Sequence, residues 1–183
     1  MKNILIISGH PDLKKSFANK EILKLISQQI PAAEHRTLDT LYPDYGINVL
    51  KEQQCLVSAD IIVLQFPFFW YGVPSLMKKW MEDVFVYGFS HGSQGSKLSG
   101  KRIIFSFTSG ASEEMYRPGG MQNYFIEDFM PPLKQFASLC GMECTGYIYT
   151  GGLSYIADSA QQRAKMLPRV RQHAERLLAK ISE

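Results

Sequence analysis

Short uncharged runs of branched apolar residues alternate along this chain with stretches whose apolar positions recur every three or four residues. Ile4 to Ile7 is the first such run, as expected of a strand buried on both faces of a parallel sheet, and Ser8-Gly9-His10-Pro11 is its turn. Phe17, Ile22, Leu25 and Ile26 then give one face of a helix that Ser16 caps and Pro31 ends. His35 to Leu41 predicts a second, more polar strand near a sheet edge. A short helix through Leu50 and Leu56 follows, closed by Ser58-Ala59-Asp60, and Ile61-Ile62-Val63-Leu64 is a third strand. Pro74 opens the next helix at its first turn, where a missing amide is harmless, and Leu76, Met77, Trp80, Met81, Val84 and Phe85 form its apolar face until Gly88. Arg102 to Phe107 predicts a fourth strand. Pro131-Pro132 start a helix that runs to Leu139 and stops at Gly141, and Tyr147 to Thr150 ends a fifth strand. An amphipathic helix from about Ser159 to Ile181, bent at Pro168, closes the chain.

Strands alternating with helices predict an α/β sandwich of three layers, and right-handed crossovers favour a five-stranded parallel sheet in the order 2-1-3-4-5. Residues 1–183 are read as a single domain. The switch point of that order lies between strands one and three, whose loops are His10 to Asn19 and Pro67 to Gly72. Ligands of such sheets bind outside the carboxyl ends of the strands.

The whole chain narrows the functional classes. Its 183 residues are 45% hydrophobic and 20% charged, with a net charge of +3. Lys and Arg are dispersed, so no nucleic-acid or membrane surface is implied. Cys55, Cys140 and Cys144 share no metal-ligand spacing with a histidine and suit reduced thiols in a cytoplasm. His35, His91 and His173 look solvated. No apolar run approaches the roughly 20 residues of a membrane span, and a soluble cytoplasmic protein is expected.

The chemistry concentrates in three loops. Lys14, Lys15, Ser16 and the amides of a helix start suit a phosphate. Phe66-Pro67-Phe68-Phe69-Trp70-Tyr71 reads as a floor for a flat ring, with Pro67 placing the rings on a loop after the strand. The rings also suit the core, and both hold if Phe68 or Phe69 turns inward while Trp70 and Tyr71 face the cleft. Thr108 to Ser112 adds hydroxyls and amides beside the same edge, and the Gly/Ser-rich loop from Gly88 to Gly100 is long enough to be mobile or functional. A phosphate pocket, an aromatic shelf and a hydrogen-bonding rim are what a flavin mononucleotide needs, and the redox chemistry would then belong to the cofactor. GxGxxG, HExxH and P-loop motifs are absent.

Over almost its whole length the chain resembles the flavodoxin-like NAD(P)H quinone oxidoreductases, which include DT-diaphorase-type quinone reductases and the ancillary flavoproteins of glutathione-gated potassium efflux systems. The resemblance rests on Ile7-Ser8-Gly9-His10-Pro11, Ser16-Phe17-Ala18-Asn19, Tyr42-Pro43-Asp44, Ala59-Asp60 leading to Phe66 through Tyr71, and Thr108-Ser109-Gly110. It implies that His10, Ser16, Phe17, Ala18 and Asn19 hold the phosphate and ribityl chain of FMN, or of FAD. Phe68, Phe69, Trp70 and Tyr71 would line the ring, Ser109, Gly110, Ala111 and Ser112 would approach its pyrimidine end, and Pro67 and Thr108 would bind the cofactor beside them. Tyr116 matches a tyrosine that closes over the hydride-transfer site, so Tyr116 and Trp70 are assigned positioning roles there. The family's histidine falls near Gln122, whose amide can hydrogen-bond a quinone oxygen but cannot protonate it. NADH or NADPH as donor, a quinone-like acceptor in a ping-pong scheme, and a homodimer follow from the same resemblance. A regulatory flavoprotein subunit of a potassium-efflux transporter is the alternative, and no metal is expected.

Overall fold

The computed structural model describes residues 2–93, 96–154 and 159–183. β1 (Ile4–Ser8), β2 (Glu34–Thr37), β3 (Ile61–Pro67), β4 (Arg102–Thr108) and β5 (Glu143–Thr150) form a parallel sheet in the order β2-β1-β3-β4-β5. The carboxyl ends of all five therefore reach one edge. Around the sheet run α1 (Phe17–Gln29), α2 (Leu38–Leu41), α3 (Val49–Ser58), α4 (Ser75–Val84), α5 (Pro131–Leu139) and α6 (Ala160–Ser182).

Alternation along the strands builds two cores. Ile62, Leu64 and Phe66 of β3 pack with α3, α4 and α5, while Ile61 and Val63 pack with α1 and α6. On the α1 and α6 face the rows turn polar at the carboxyl ends, with Ser8, Gln65, Ser106, Thr108 and Thr150 all buried. Buried polar groups need partners. Asn19 of α1 supplies them to Gln65 and Thr108 and His173 of α6 to Ser106 and Thr150, whereas Ser8 Oγ has no partner among the described residues.

His173 corrects the expectation of a solvated histidine. It has no exposed surface, and its two ring nitrogens lie 2.8 Å from Ser106 Oγ and 2.9 Å from Thr150 Oγ1. Burial pushes its pKa down to about 3, with Arg176 adding to the shift. The unfolded chain therefore takes up this proton near pH 6.5 while the folded one does not, so stability present at neutral pH is lost as pH falls. The loss should reach about 2 kcal/mol at about pH 5 from this group alone. Thermal unfolding at neutral and at acid pH checks this, and an equal or higher midpoint in acid would contradict it.

Three local expectations also change. β2 stops at Thr37 because Leu38 begins the short α2, a turn that buries its side chain completely. β3 runs on through Pro67: Phe68 N–H donates to Thr108 O, so the alternate amide, which Pro67 lacks, faces the side where β1 has ended. β5 starts at Glu143 and carries an extra residue against Ile103 and Phe105, near Gly146 with its φ of 119°. α6 continues through Pro168 with no break in helical backbone. The described ends of the Gly88 to Gly100 loop are pinned by buried Phe89, Ser90 and Leu98, and residues 94 and 95 lie outside the described part. Among the described residues no helix is long and apolar enough to cross a membrane.

Candidate cofactor cleft

At the carboxyl edge, a cleft opens where the loops after β1, β3, β4 and β5 meet. One end is polar. Ser16 caps α1 by accepting from Asn19 N–H at 3.2 Å and from Asn19 Nδ2 at 3.2 Å, while Asn19 Nδ2 also donates to Thr108 Oγ1 at 3.1 Å. Phe17 and Ala18, whose amides come first in the helix and have no acceptor within it, line the cleft. This is a cradle for an anion.

His10 closes the same end. Its Nδ1 accepts from Asp12 N–H at 3.1 Å, so a neutral ring carries its proton on Nε2. Burial holds its pKa below the usual value, and nearby Asp39 and Asp12 only partly offset this. An anion in the cleft would reverse that balance, so the His10 titration followed by NMR should move upward when FMN is added. An unmoved titration would place the anion elsewhere. Lys15 pairs with Asp12 at 2.9 Å in solvent, and neither Lys14 nor Lys15 lines the cleft.

The lining also has an apolar part. Pro67, Phe68 and Phe69 line it, with Phe69 edge-on to His10 at 5.9 Å between ring centroids. Phe68 turns inward and is buried. Trp70 and Tyr71 lie outside the lining, on a turn closed by Gly72 N–H donating to Phe69 O at 3.1 Å. Their φ angles of 48° and 65° are left-handed, a conformation that favours glycine and costs on the order of 1–3 kcal/mol at each such residue. Trp70 is 94% exposed, so burial of its side chain does not offset that cost. Tyr71 stacks on Phe129 at 5.2 Å and donates from its hydroxyl to Gln122 Oε1 at 3.0 Å.

Ser109 and Gly110 line the cleft, whereas Ala111 and Ser112 do not. Ser109 Oγ donates to Ala111 O at 2.7 Å and therefore accepts from Tyr149. Tyr116 is buried beside Phe68 and Tyr149, with centroids 6.3 and 5.9 Å away. It lines an adjacent hollow with Glu113, Glu127, Tyr147 and Arg176 rather than the cleft itself. Burial raises its phenol, which stays a proton donor at neutral pH. Leu153 and Ser154 complete the lining. Sequence reasoning missed them, although the Gly151-Gly152 turn after β5 signalled a fourth loop at the same edge. Among the described residues no cluster of His, Cys, Asp and Glu could hold a metal ion.

A parallel sheet in this order, with its cleft at the switch point, defines the flavodoxin-like class of α/β proteins. The chain belongs to that family: the model described as "Flavodoxin-like fold" matches residues 2–174. It is 37% identical over 142 residues to an uncharacterized NAD(P)H oxidoreductase of Bacillus subtilis, covering 78% of this chain and 80% of that protein. It is 36% identical over 140 residues to the ancillary protein of a glutathione-regulated potassium-efflux system from an Enterobacter species, covering 76% and 78% of the two chains. Among solved structures, general stress protein 14 of Treponema denticola in complex with FMN superposes with a TM-score of 0.86 at 26% identity, over 97% of this chain and 99% of that one.

Proposed function

We propose that the protein is an FMN-dependent NAD(P)H oxidoreductase acting on a quinone-like acceptor. The observation that carries this reading is the lining of the cleft, which joins anion-binding groups to apolar rings. Unpaired amides of α1 with the hydroxyls of Ser16 and Thr108 form its anion end, and Pro67, Phe68 and Phe69 form its flat apolar wall. These residues fit a flavin mononucleotide, and the FMN-bound Treponema structure supports FMN over FAD. Bound flavin would supply hydride acceptance from NADH or NADPH and two-electron delivery to the acceptor, the two substrates using one site in alternation.

The chain's own part is positioning. His10, Ser16, Asn19 and Thr108 hold the phosphate end, Phe68 and Phe69 bear the ring, and Ser109 and Gly110 bring donors to its polar edge. Trp70, held at the mouth on strained backbone, and Tyr116, a buried phenol beside Phe68, order the substrates without moving a proton. Tyr71, Met121, Tyr124 and Phe125 leave exposed apolar surface, which a second copy of the chain would cover in a homodimer. Reduced nicotinamides and three free thiols suit the cytoplasm.

Steady-state rates of NADPH oxidation by the FMN-loaded protein with a quinone test the reading. Turnover well above that of free FMN is expected, with parallel double-reciprocal lines. Rates no higher than free FMN would instead favour a regulatory flavoprotein on a potassium-efflux transporter, the reading that the Enterobacter relative supports.

A further inference from the structure

Beneath the cleft, between the sheet and its α1 and α6 layer, the buried polar side chains form one continuous chain of hydrogen bonds. Thr150 Oγ1 lies 2.9 Å from His173 Nδ1, and His173 Nε2 lies 2.8 Å from Ser106 Oγ. Ser106 donates to Gln65 Oε1 at 2.5 Å, and Gln65 Nε2 donates to Asn19 Oδ1 at 2.8 Å. Asn19 Nδ2 divides its two protons between Thr108 and Ser16. The chain thus runs from the end of β5 to the anion end of the cleft.

Proton counting gives it a direction. A hydroxyl has one proton to donate. Ser106 gives its own to Gln65, so it accepts from His173, whose proton then sits on Nε2 and whose Nδ1 accepts from Thr150. At the far end Ser16 and Thr108 accept from Asn19, and neither hydroxyl has an acceptor for its own proton among the described residues. Both line the cleft. The reverse direction would turn Asn19 Oδ1 toward those hydroxyls, draw their protons inward and leave one Asn19 amide proton unpaired. Burial keeps the His173 ring neutral, so it has one donor and one acceptor to give.

We propose that His173 is a positioning residue for the anion end of the cleft: by donating from Nε2 to Ser106 it fixes the direction of the chain, so that Ser16 and Thr108 present their protons to a phosphate. The proposal rests on the flavin reading above. It makes the histidine's influence specific to the phosphate, which a merely structural role would not do.

The test compares FMN with riboflavin, which lacks the phosphate, by fluorescence quenching. Wild type should bind FMN the more tightly. Ser106→Ala and His173→Leu should each lower the FMN-to-riboflavin affinity ratio about tenfold, and His173→Gln, which keeps a donor and an acceptor, should retain most of it. Nitrogen-15 NMR of the wild-type ring should find the proton on Nε2, a readout that needs no variant to fold. A folded Ser106→Ala with the wild-type ratio, or a ring proton on Nδ1, would overturn the proposal. Wild type that bound FMN and riboflavin equally would overturn it while leaving the flavin reading intact. Wild type that bound neither would remove both.

Discussion

An Asn19→Asp variant is expected to fold normally and to lose FMN affinity by about a hundredfold or more, with riboflavin binding little changed. The carboxylate is isosteric with the amide and sits in the first turn of α1, where negative charge favours the helix. It can still accept from Gln65. It cannot donate to Ser16 or Thr108 as Asn19 does. It would instead accept their protons, remove two donors from the anion end and add a like charge beside a phosphate. A hydrogen bond to a charged group contributes about 1.5–3 kcal/mol, and 1.4 kcal/mol is a factor of ten in affinity. Fluorescence titration with the two flavins measures the loss. Equal loss for both would show that Asn19 supports the cleft as a whole rather than its phosphate end.

Glu52→Ala should have the opposite profile, a large loss of stability with ligand preference retained. Glu52 is fully buried and accepts from Arg36 Nε at 3.0 Å, from the Tyr42 hydroxyl at 2.6 Å and from Trp80 Nε1 at 2.9 Å. A short contact to Arg36 Nη2 makes the ion pair two-pronged. These bonds tie β2, α3 and α4 together away from the cleft. Truncation leaves Arg36 with only the more distant Glu34 carboxylate, 3.9 Å away, and strands two buried donors, a cost of about 3–5 kcal/mol. For a chain of this length that lowers the unfolding midpoint by about 10 °C or more. Glu52→Gln, which keeps acceptor geometry, should cost less. A Glu52→Ala midpoint within a degree or two of wild type would mean that relaxation or water satisfies the three donors.

Much of this molecule could be read from its sequence because a parallel sheet buries its central strands on both faces. Ile4 to Ile7 and Ile61 to Leu64 therefore announce themselves as apolar runs, and the order of the strands and the place of the cleft follow from chain reversals and handedness. The edge strands carry less signal. β2 is polar and half its expected length, and the first part of β5 is partly exposed and interrupted at Gly146. The cleft was legible where a motif sits on a loop, as at Ser16 to Asn19. It was not legible where the deciding property is tertiary. Nothing local marks His173 as buried, since its partners Ser106 and Thr150 lie 67 and 23 residues away. The left-handed backbone at Trp70 and Tyr71 runs against local preference, which would put glycine or asparagine there.

The most direct test of the account is an absorbance spectrum of the purified, flavin-loaded protein before and after anaerobic addition of NADPH or NADH. The account predicts yellow flavin bands that bleach on addition, with FMN released on denaturation. A colourless protein that neither takes up FMN nor quenches its fluorescence would contradict it, and would return the Phe66 to Tyr71 rings to the core or to a protein-binding face.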